Sequence, residues 1–545
     1  MFHGLSISRH FCDMQFEQIT YLQAMSGDAE DALIKESLIK HDDDSDHSSG
    51  SQSWVTEEES TCSSEFDSEP EDGLPENQGA EQMEQNEIIE NENFKSYLDL
   101  DDAEEVTVPK FQPNGIPGLV LMDREKFLTP GAFFKLFFPP DLIQKICDYT
   151  NEHVSAIQAP IPKVAVGWTP MTPDEMYSFL ALILYCSNVT LADIELYWLK
   201  KEEDPRGVFS HIWASRIMSQ ERYVQIQSFL KVEITEPEPR QDKSKLRNVK
   251  ILAEQIRQAC MKYWVPNEYI RIEKRVVEDS IFDTKHAVRL WHLQDAVSGY
   301  FWNFDFFLGK KKDSEMADWW RETVMKLCSP LYGQGYKLFV DNSLNSIQLF
   351  KDLFENGIGA CGTISNHQVG FPDCLKNIRE FQQRSERGSM RWVRRGNLAF
   401  VQWKDTEVTM FIQWKDTQVT SLITTMHKPA NEETVCTRQV NVDGQQEKVE
   451  LRQPVAVKDF LQYFGDKDRS EDVIEKITHL MRKMKFWKTV LYHLIEVARS
   501  NSFVMFQLFR SLEENKNVDK LARSRDYKEI DFTIELVQEL AQIKV

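Results

Sequence analysis

The chain has little that would cross-link it or anchor it. Its nine cysteines, Cys12, Cys62, Cys147, Cys186, Cys260, Cys328, Cys361, Cys374 and Cys436, include no pair at CxxC spacing and none beside a histidine at zinc-ligand spacing. A scattered, odd-numbered set argues for a reducing compartment and against both a disulfide frame and a zinc module. Long apolar runs are missing too. The longest, Phe179-Leu-Ala-Leu-Ile-Leu-Tyr-Cys186, is far short of the roughly 20 residues of a membrane span and reads as a buried helix. Met1 to Gly27 has no uninterrupted apolar h-region and makes a poor signal peptide. Basic residues are almost absent between Gly27 and Glu105, where 27 acids face three bases.

That stretch, with a balance of −24, accounts for the whole net charge of −23, so the rest of the 545 residues is close to neutral. The acidic balance therefore does not exclude a nucleic-acid-binding body. The tail contains Asp42-Asp-Asp-Ser-Asp46 and Ser63-Ser-Glu-Phe-Asp-Ser-Glu-Pro-Glu-Asp72. Its apolar residues are too sparse to offset the entropy of ordering, and residues 1–118 are expected to be a disordered acidic tail. It could serve solubility, phosphorylation at acid-flanked serines, or competition with DNA for basic surface.

With 41% hydrophobic residues, the chain can build two or three cored domains. The folded body is expected from about Leu119. Thr129-Pro130 and Thr172-Pro173 are helix starts, each a threonine cap followed by proline at the first helical position. Asp141 to Asn151 continues as an amphipathic helix, and residues from about 124 to 265 read as helical. Then Tyr269–Glu273, Val288–Leu293, Tyr300–Phe307 and Tyr336–Asp341 are rich in aromatic and β-branched residues and read as strands, with Asp295 to Gly299 as a turn. Helical spacing over Ser314–Leu327 and Asn345–Asn356, the second stopped by Gly357, makes the core mixed α/β. A near-repeat, Val401-Gln-Trp-Lys-Asp-Thr and Ile412-Gln-Trp-Lys-Asp-Thr, suggests two strands. From Asp472 the chain is helical again.

An ordered set of pieces over roughly 124–510 resembles the piggyBac transposases. The pieces are Thr129-Pro130 to Thr150-Asn151, Tyr197-Trp198, Met218-Ser-Gln-Glu-Arg-Tyr223 and Ser298-Gly-Tyr300. They continue with Asp341-Asn-Ser-Leu-Asn-Ser346, Ala360-Cys-Gly-Thr363 before Asn366 and Pro372, and Trp403-Lys-Asp405. Pro454-Val-Ala-Val-Lys-Asp-Phe460, Asp468 and Phe486-Trp-Lys488 complete the series.

The resemblance implies an RNase H-like catalytic core at 266–367 and 455–478, interrupted by a mostly-β insertion domain at 368–454. A helical dimerisation and DNA-binding domain would be split between 119–265 and 479–545. Family members cut and rejoin DNA at TTAA targets, with three carboxylates holding divalent ions that stabilise the attacking and leaving oxygens. Carried over, the second acid is Asp341 and the third Asp468, with Glu471 three residues on as a further metal ligand. The first should be the Asp of an Ile-Asp-Glu triplet, but this chain reads Ile272-Glu273-Lys274, or Glu278-Asp279 in another register. The longer Glu273 displaces its oxygens from a tight octahedral geometry, and Lys274 sets a cation beside the pocket. No cysteine follows Cys436 to form the family's terminal zinc-binding module.

Basic candidates for nucleic acid are Lys310, Lys311, Lys312, Arg391, Arg394, Arg395, Lys485 and Lys488, interleaved in part with aromatics. The expectation is a host-retained, piggyBac-derived nuclear protein that binds DNA or chromatin as a homodimer and lacks transposase activity. No cofactor is expected, with Mg2+ implied only if the triad works, and neither a membrane nor a small-molecule substrate is expected. The alternatives are an active transposase using Glu273, Asp341 and Asp468, and a protein-binding scaffold that has lost DNA contact.

Overall fold

The computed structural model describes residues 95–96, 107–121, 126–158, 167–191, 194–199, 212–232, 247–277, 288–308, 313–405, 419–428, 433–442, 445–465 and 486–543. All belong to one compact unit, Asn91–Val545. Most of the acidic tail and the second copy of the near-repeat lie outside the described residues.

The expected helix starts form as written. Helix α1 (Pro130–Phe134) opens at Thr129, whose hydroxyl accepts from the amide of Ala132. α2 (Pro140–Gln158) follows, and α3 (Pro173–Asn188) is capped by Thr172. The apolar run becomes the centre of α3, where Phe179 to Leu184 are buried without a gap. Three further helices, α4 (Ile212–Ile217), α5 (Gln220–Phe229) and α6 (Arg247–Lys262), lead into the strands.

Among the described residues, nine strands form one sheet. A meander of β4 (Tyr269–Val277), β5 (Val288–Asp295) and β6 (Phe301–Leu308) is antiparallel; the short β2 (Gly118–Leu119) and β3 (Trp264–Val265) pair apart from it. Next, α7 (Asp313–Cys328) carries the chain to β7 (Lys337–Val340), and α8 (Ile347–Glu355) to β8 (Gly359–Thr363). Both return strands are parallel to β4 and lie on its other side, as crossover helices permit. Beyond the short α9 (Asp373–Lys376) and α10 (Ile378–Arg384), β9 (Met390–Arg395), β10 (Leu398–Lys404) and β11 (Val419–Thr424) extend the same sheet, and β1 (Lys95–Ser96) pairs with β9 at its edge. The order is β1-β9-β10-β11-β8-β7-β4-β5-β6. A separate hairpin, β12 (Glu433–Val442) and β13 (Gln445–Pro454), leads to α11 (Val455–Tyr463). The 26-residue α12 (Phe486–Ser511) and then α13 (Glu529–Leu540) close the chain.

The C-terminal helices complete the N-terminal ones. Glu539 of α13 accepts from the Thr129 hydroxyl and the Gly131 amide, both at 2.8 Å. In the middle of α12, buried Glu496 and Arg499 pair at 2.6 Å, and Arg499 reaches Glu529 at 2.6 Å. Asn501 exchanges two 2.8 Å hydrogen bonds with the backbone of Phe301, fastening α12 to β6. At the same end of the meander, buried Asp295 accepts from the Trp264 indole, the Asn267 amide and side chain, and the amides of Val297 and Ser298, at 2.9 to 3.2 Å. The Asp295–Gly299 turn is thus held by a carboxylate rather than by turn propensity alone.

His292 on β5 and His493 on α12, both wholly buried, meet Nε2 to Nε2 at 2.7 Å. Burial pushes both imidazoles below their ordinary range, His493 to about 3, and for His292 the neighbouring His493 and Arg275 add to it. The folded rings stay neutral while unfolded rings titrate near 6.5, so the unfolded state binds more protons below that pH. Their stabilisation is whole above about 6.5 and declines below it by about 1.4 kcal/mol per pH unit for each ring that takes up a proton only on unfolding. The melting temperature should fall as pH drops from about 6.5 to about 4.5, and His493→Gln should flatten that dependence. An equal slope in wild type and variant would contradict the role given to the pair.

Candidate functional site

Strands β4 and β7 bring the expected acids to one level of the sheet. Ile270 pairs with Leu338 and Ile272 with Val340, all buried, so position 273 stands level with position 341, one step beyond the ladder. Asp341 ends β7 in a turn: its Oδ1 accepts from the Ser343 amide at 3.0 Å and the Ser343 hydroxyl at 2.7 Å. Ser346, not Asp341, caps α8. The turn lies against β8, where Gly362 faces Val340. A Cβ on Gly362 would stand 2.4 Å from both the Val340 carbonyl and Asn345 Nδ2. Gly362→Ala should therefore cost about 1–3 kcal/mol and disturb the Asp341 turn, as read by denaturant unfolding; unchanged stability would show that the strands can separate freely.

Side chains alternate along β4, so Arg271, Glu273 and Arg275 share the sheet face covered by α11 and α12, while Lys274 emerges toward α7. Glu273 is 4% exposed. Its Oε1 lies 3.2 Å from Arg271 Nε and its Oε2 3.4 Å from Arg275 Nη2. Arg271, equally buried, also donates to Gln294 at 3.0 and 3.2 Å. Both oxygens of Glu273 thus already face guanidinium groups. A divalent ion there would have to displace two fixed cations, so this acid does not fit the ligand position that the resemblance implies. The carboxylate of Glu273 is thus buried against Arg271 and Arg275. Spacing held the signal, because residues two before and two after a strand position share its face.

Lys274 lies over the Trp320 ring, 4.4 Å from its centroid. Burial lowers the affinity of its amine for a proton, the charge of Asp341 opposes this, and Arg289 adds to it. Asp341 and Lys274 therefore feel one another across the end of the sheet.

Asp468, Glu471 and the alternative pair Glu278-Asp279 lie outside the described residues, as do Lys310, Lys311, Lys312 and Lys485. Among the described residues no cluster of three or more His, Cys, Asp or Glu is placed to hold a metal, and no helix is long and apolar enough to cross a membrane. Arg391 donates to Gln402 at 2.7 Å and to the carbonyls of Leu375 and Asn377 at 2.9 and 3.2 Å, with Phe381 beneath it. Arg394 is buried and donates to the Gly396 carbonyl at 2.6 Å. Lys488 donates to the Gln227 carbonyl. These three fasten backbone segments, whereas Arg395 is exposed.

The sequence profile of the family described as Transposase IS4 matches residues 129–503. The chain belongs to the piggyBac-type transposase family. The human piggyBac transposable element-derived protein 5 is 20% identical over 426 residues, 73% of this chain and 74% of that protein. The human piggyBac transposable element-derived protein 3 is 23% identical over 415 residues, 72% of this chain and 63% of that protein, less than two thirds of its length. The solved piggyBac transposase in a synaptic complex with hairpin DNA has the same fold at a TM-score of 0.58, with 18% identity, over 78% of this chain and 83% of that one. The mixed α/β architecture and its large mixed sheet are therefore those of piggyBac transposases.

The ion triad at position 273 has a measurable consequence for this family member. Glu273→Gln should lose about 3 kcal/mol or more of stability, because two arginines, one of them fully desolvated, lose their counter-charge. Chemical denaturation reads this directly. A stabilised variant, as expected where an acid is held under repulsion for catalysis, would contradict the triad.

Proposed function

We propose that this chain is a host-retained, piggyBac-derived protein that binds DNA or chromatin in the nucleus, as a homodimer, without cutting DNA. The observation that carries the reading is the burial of Glu273 between Arg271 and Arg275. Two-metal phosphoryl transfer needs an ionised acid open toward a shared pair of ions. A carboxylate already satisfied by two guanidinium groups offers no such oxygen.

The DNA-binding half draws on relatedness to the transposase whose solved complex contains hairpin DNA. It also draws on the body's near-neutral balance once the acidic tail is set aside. An RNase H-like core over 266–367 and 455–478 is supported by the strand order β6-β5-β4-β7-β8, three antiparallel strands followed by two parallel ones on the far side of the first. The insertion at 368–454 and the helical halves at 119–265 and 479–545 complete the proposed domain plan, with 1–118 as the acidic tail. The acids Asp341, Asp468 and Glu471 are then a remnant. Mg2+, which would stabilise oxygens of the transferring phosphoryl group if bound, has no part in this function.

Purified full-length chain should shift duplex DNA with a steep salt dependence and leave TTAA-flanked duplex uncut in Mg2+ or Mn2+. Metal-dependent nicking that disappears in Asp341→Ala would overturn the proposal in favour of an active transposase. Failure to bind DNA at low salt would overturn it in favour of a protein-binding scaffold.

A further inference from the structure

The near-repeat enters the sheet through its first copy, in β10. Phe400-Val-Gln-Trp-Lys-Asp-Thr406 returns eleven residues later as Phe411-Ile-Gln-Trp-Lys-Asp-Thr417, with Val401 against Ile412 as the one difference. In the first copy Phe400, Val401 and Trp403 are buried, and Gln402 to Asp405 each hold a partner. Gln402 accepts from Arg391 at 2.7 Å and donates to Ser421 at 2.9 Å. The Trp403 indole donates to the Arg452 carbonyl at 2.8 Å, and Lys404 to the Ser385 carbonyl at 2.6 Å. Asp405 pairs with Arg387 at 3.4 Å. Gln413, Trp414, Lys415 and Asp416 repeat these four residues in the same order.

The connections on either side accept either copy. With the first copy in place, the tight turn Gly396-Asn397 joins β9 to β10, where Arg395 pairs with Leu398, and residues 405–418 link β10 to β11. Lys404 stands opposite Val419. With Lys415 in that place, only Asp416-Thr417-Gln418 would separate it from Val419, a length at which antiparallel hairpins commonly close. The long link would then be residues 396–408. Each arrangement has one tight turn and one long link, and links of such similar length cost nearly the same entropy to close. The start of the strand favours the first copy. Leu398 and Ala399, both buried, are matched in the second copy by Thr409 and Met410. A methionine in the Ala399 position overpacks the sheet, but a lost buried indole costs more.

We infer that the two copies are interchangeable strands for one slot between β9 and β11, and that a shift by one repeat length carries the spare stretch from one end of the sheet to the other. β10 runs antiparallel to β11, and β11 to β8, so the spare stretch leaves past the carboxyl end of β8 when the first copy is seated. β7, parallel to β8, gives way to Asp341 at that same end. After exchange the spare stretch leaves at the opposite end, next to Arg395. The exchange needs neither metal nor DNA, and the contacts of Gln402 to Asp405 are remade by Gln413 to Asp416.

The test uses the full-length chain with Trp403→Ala, Trp414→Ala and the two combined, read by denaturant unfolding and by brief trypsin digestion with mass spectrometry. Wild type should be cut after Lys415 and spared after Lys404, and Trp414→Ala should match it in stability and in cleavage. Trp403→Ala should show the reverse, cut after Lys404 and spared after Lys415. In that background Trp414→Ala should lower the folded-to-unfolded ratio by a further factor of about ten or more, although alone it has no effect. A combined variant no less stable than Trp403→Ala, or a Trp403→Ala chain still cut after Lys415 and spared after Lys404, overturns the exchange. So does a Trp403→Ala chain that fails to fold while Trp414 is intact. Failure to fold that is confined to the combined variant supports it.

Discussion

The parallel pairing of β4 with β7 is the constraint on which the rest of the molecule depends. Parallel strands cannot be joined by a tight turn, so the chain must leave the sheet and return through α7. That crossover places Trp319 and Trp320 over one face of the meander. The pairing also buries Ile270, Ile272, Leu338 and Val340 together, and a slip of one residue would turn all four toward the wrong face. Register is therefore set by hydrophobic burial, and the level of Glu273 beside Asp341 follows from it.

Around that pairing the molecule uses buried polar groups as fasteners. Asp295 collects five donors at one end of the meander, and Asn501 exchanges two bonds with Phe301 near its other strand. Glu539 reaches back to the first helix, so segments more than 400 residues apart share one cap. Asp295 and Asn501 would be costly to leave unmatched in a dry interior, which makes alternative arrangements of these elements unfavourable. The same logic governs Glu273. Where the resemblance implies an acid for a metal ion, this one is closed by two arginines of its own strand.

Much of this was legible from local pattern. Thr129-Pro130 and Thr172-Pro173 announced helix starts, because cap chemistry acts within three residues. Aromatic and β-branched runs marked β4 to β7, and Gly357, with φ of 75°, marked the stop of α8. The basic candidates were less legible. Arg391, Arg394 and Lys488 look like surface charge in one dimension, yet their donors are used on Leu375, Asn377, Gly396 and Gln227. No spacing rule reveals which carbonyl a long side chain will meet.

Sequence alone determined the helix caps, the strands and the membership of this chain in its family, because these depend on residue type within a few positions. It also placed Glu273 and Lys274 where Asp and Glu would be expected. Only the tertiary structure decided what those substitutions mean. It closed Glu273 between Arg271 and Arg275 and brought Lys274 into the field of Asp341 and Arg289, beside indoles from a helix that follows two strands later. The strength of a charge in a protein depends on its distance from other charges and from water, and neither distance exists until the strands have paired.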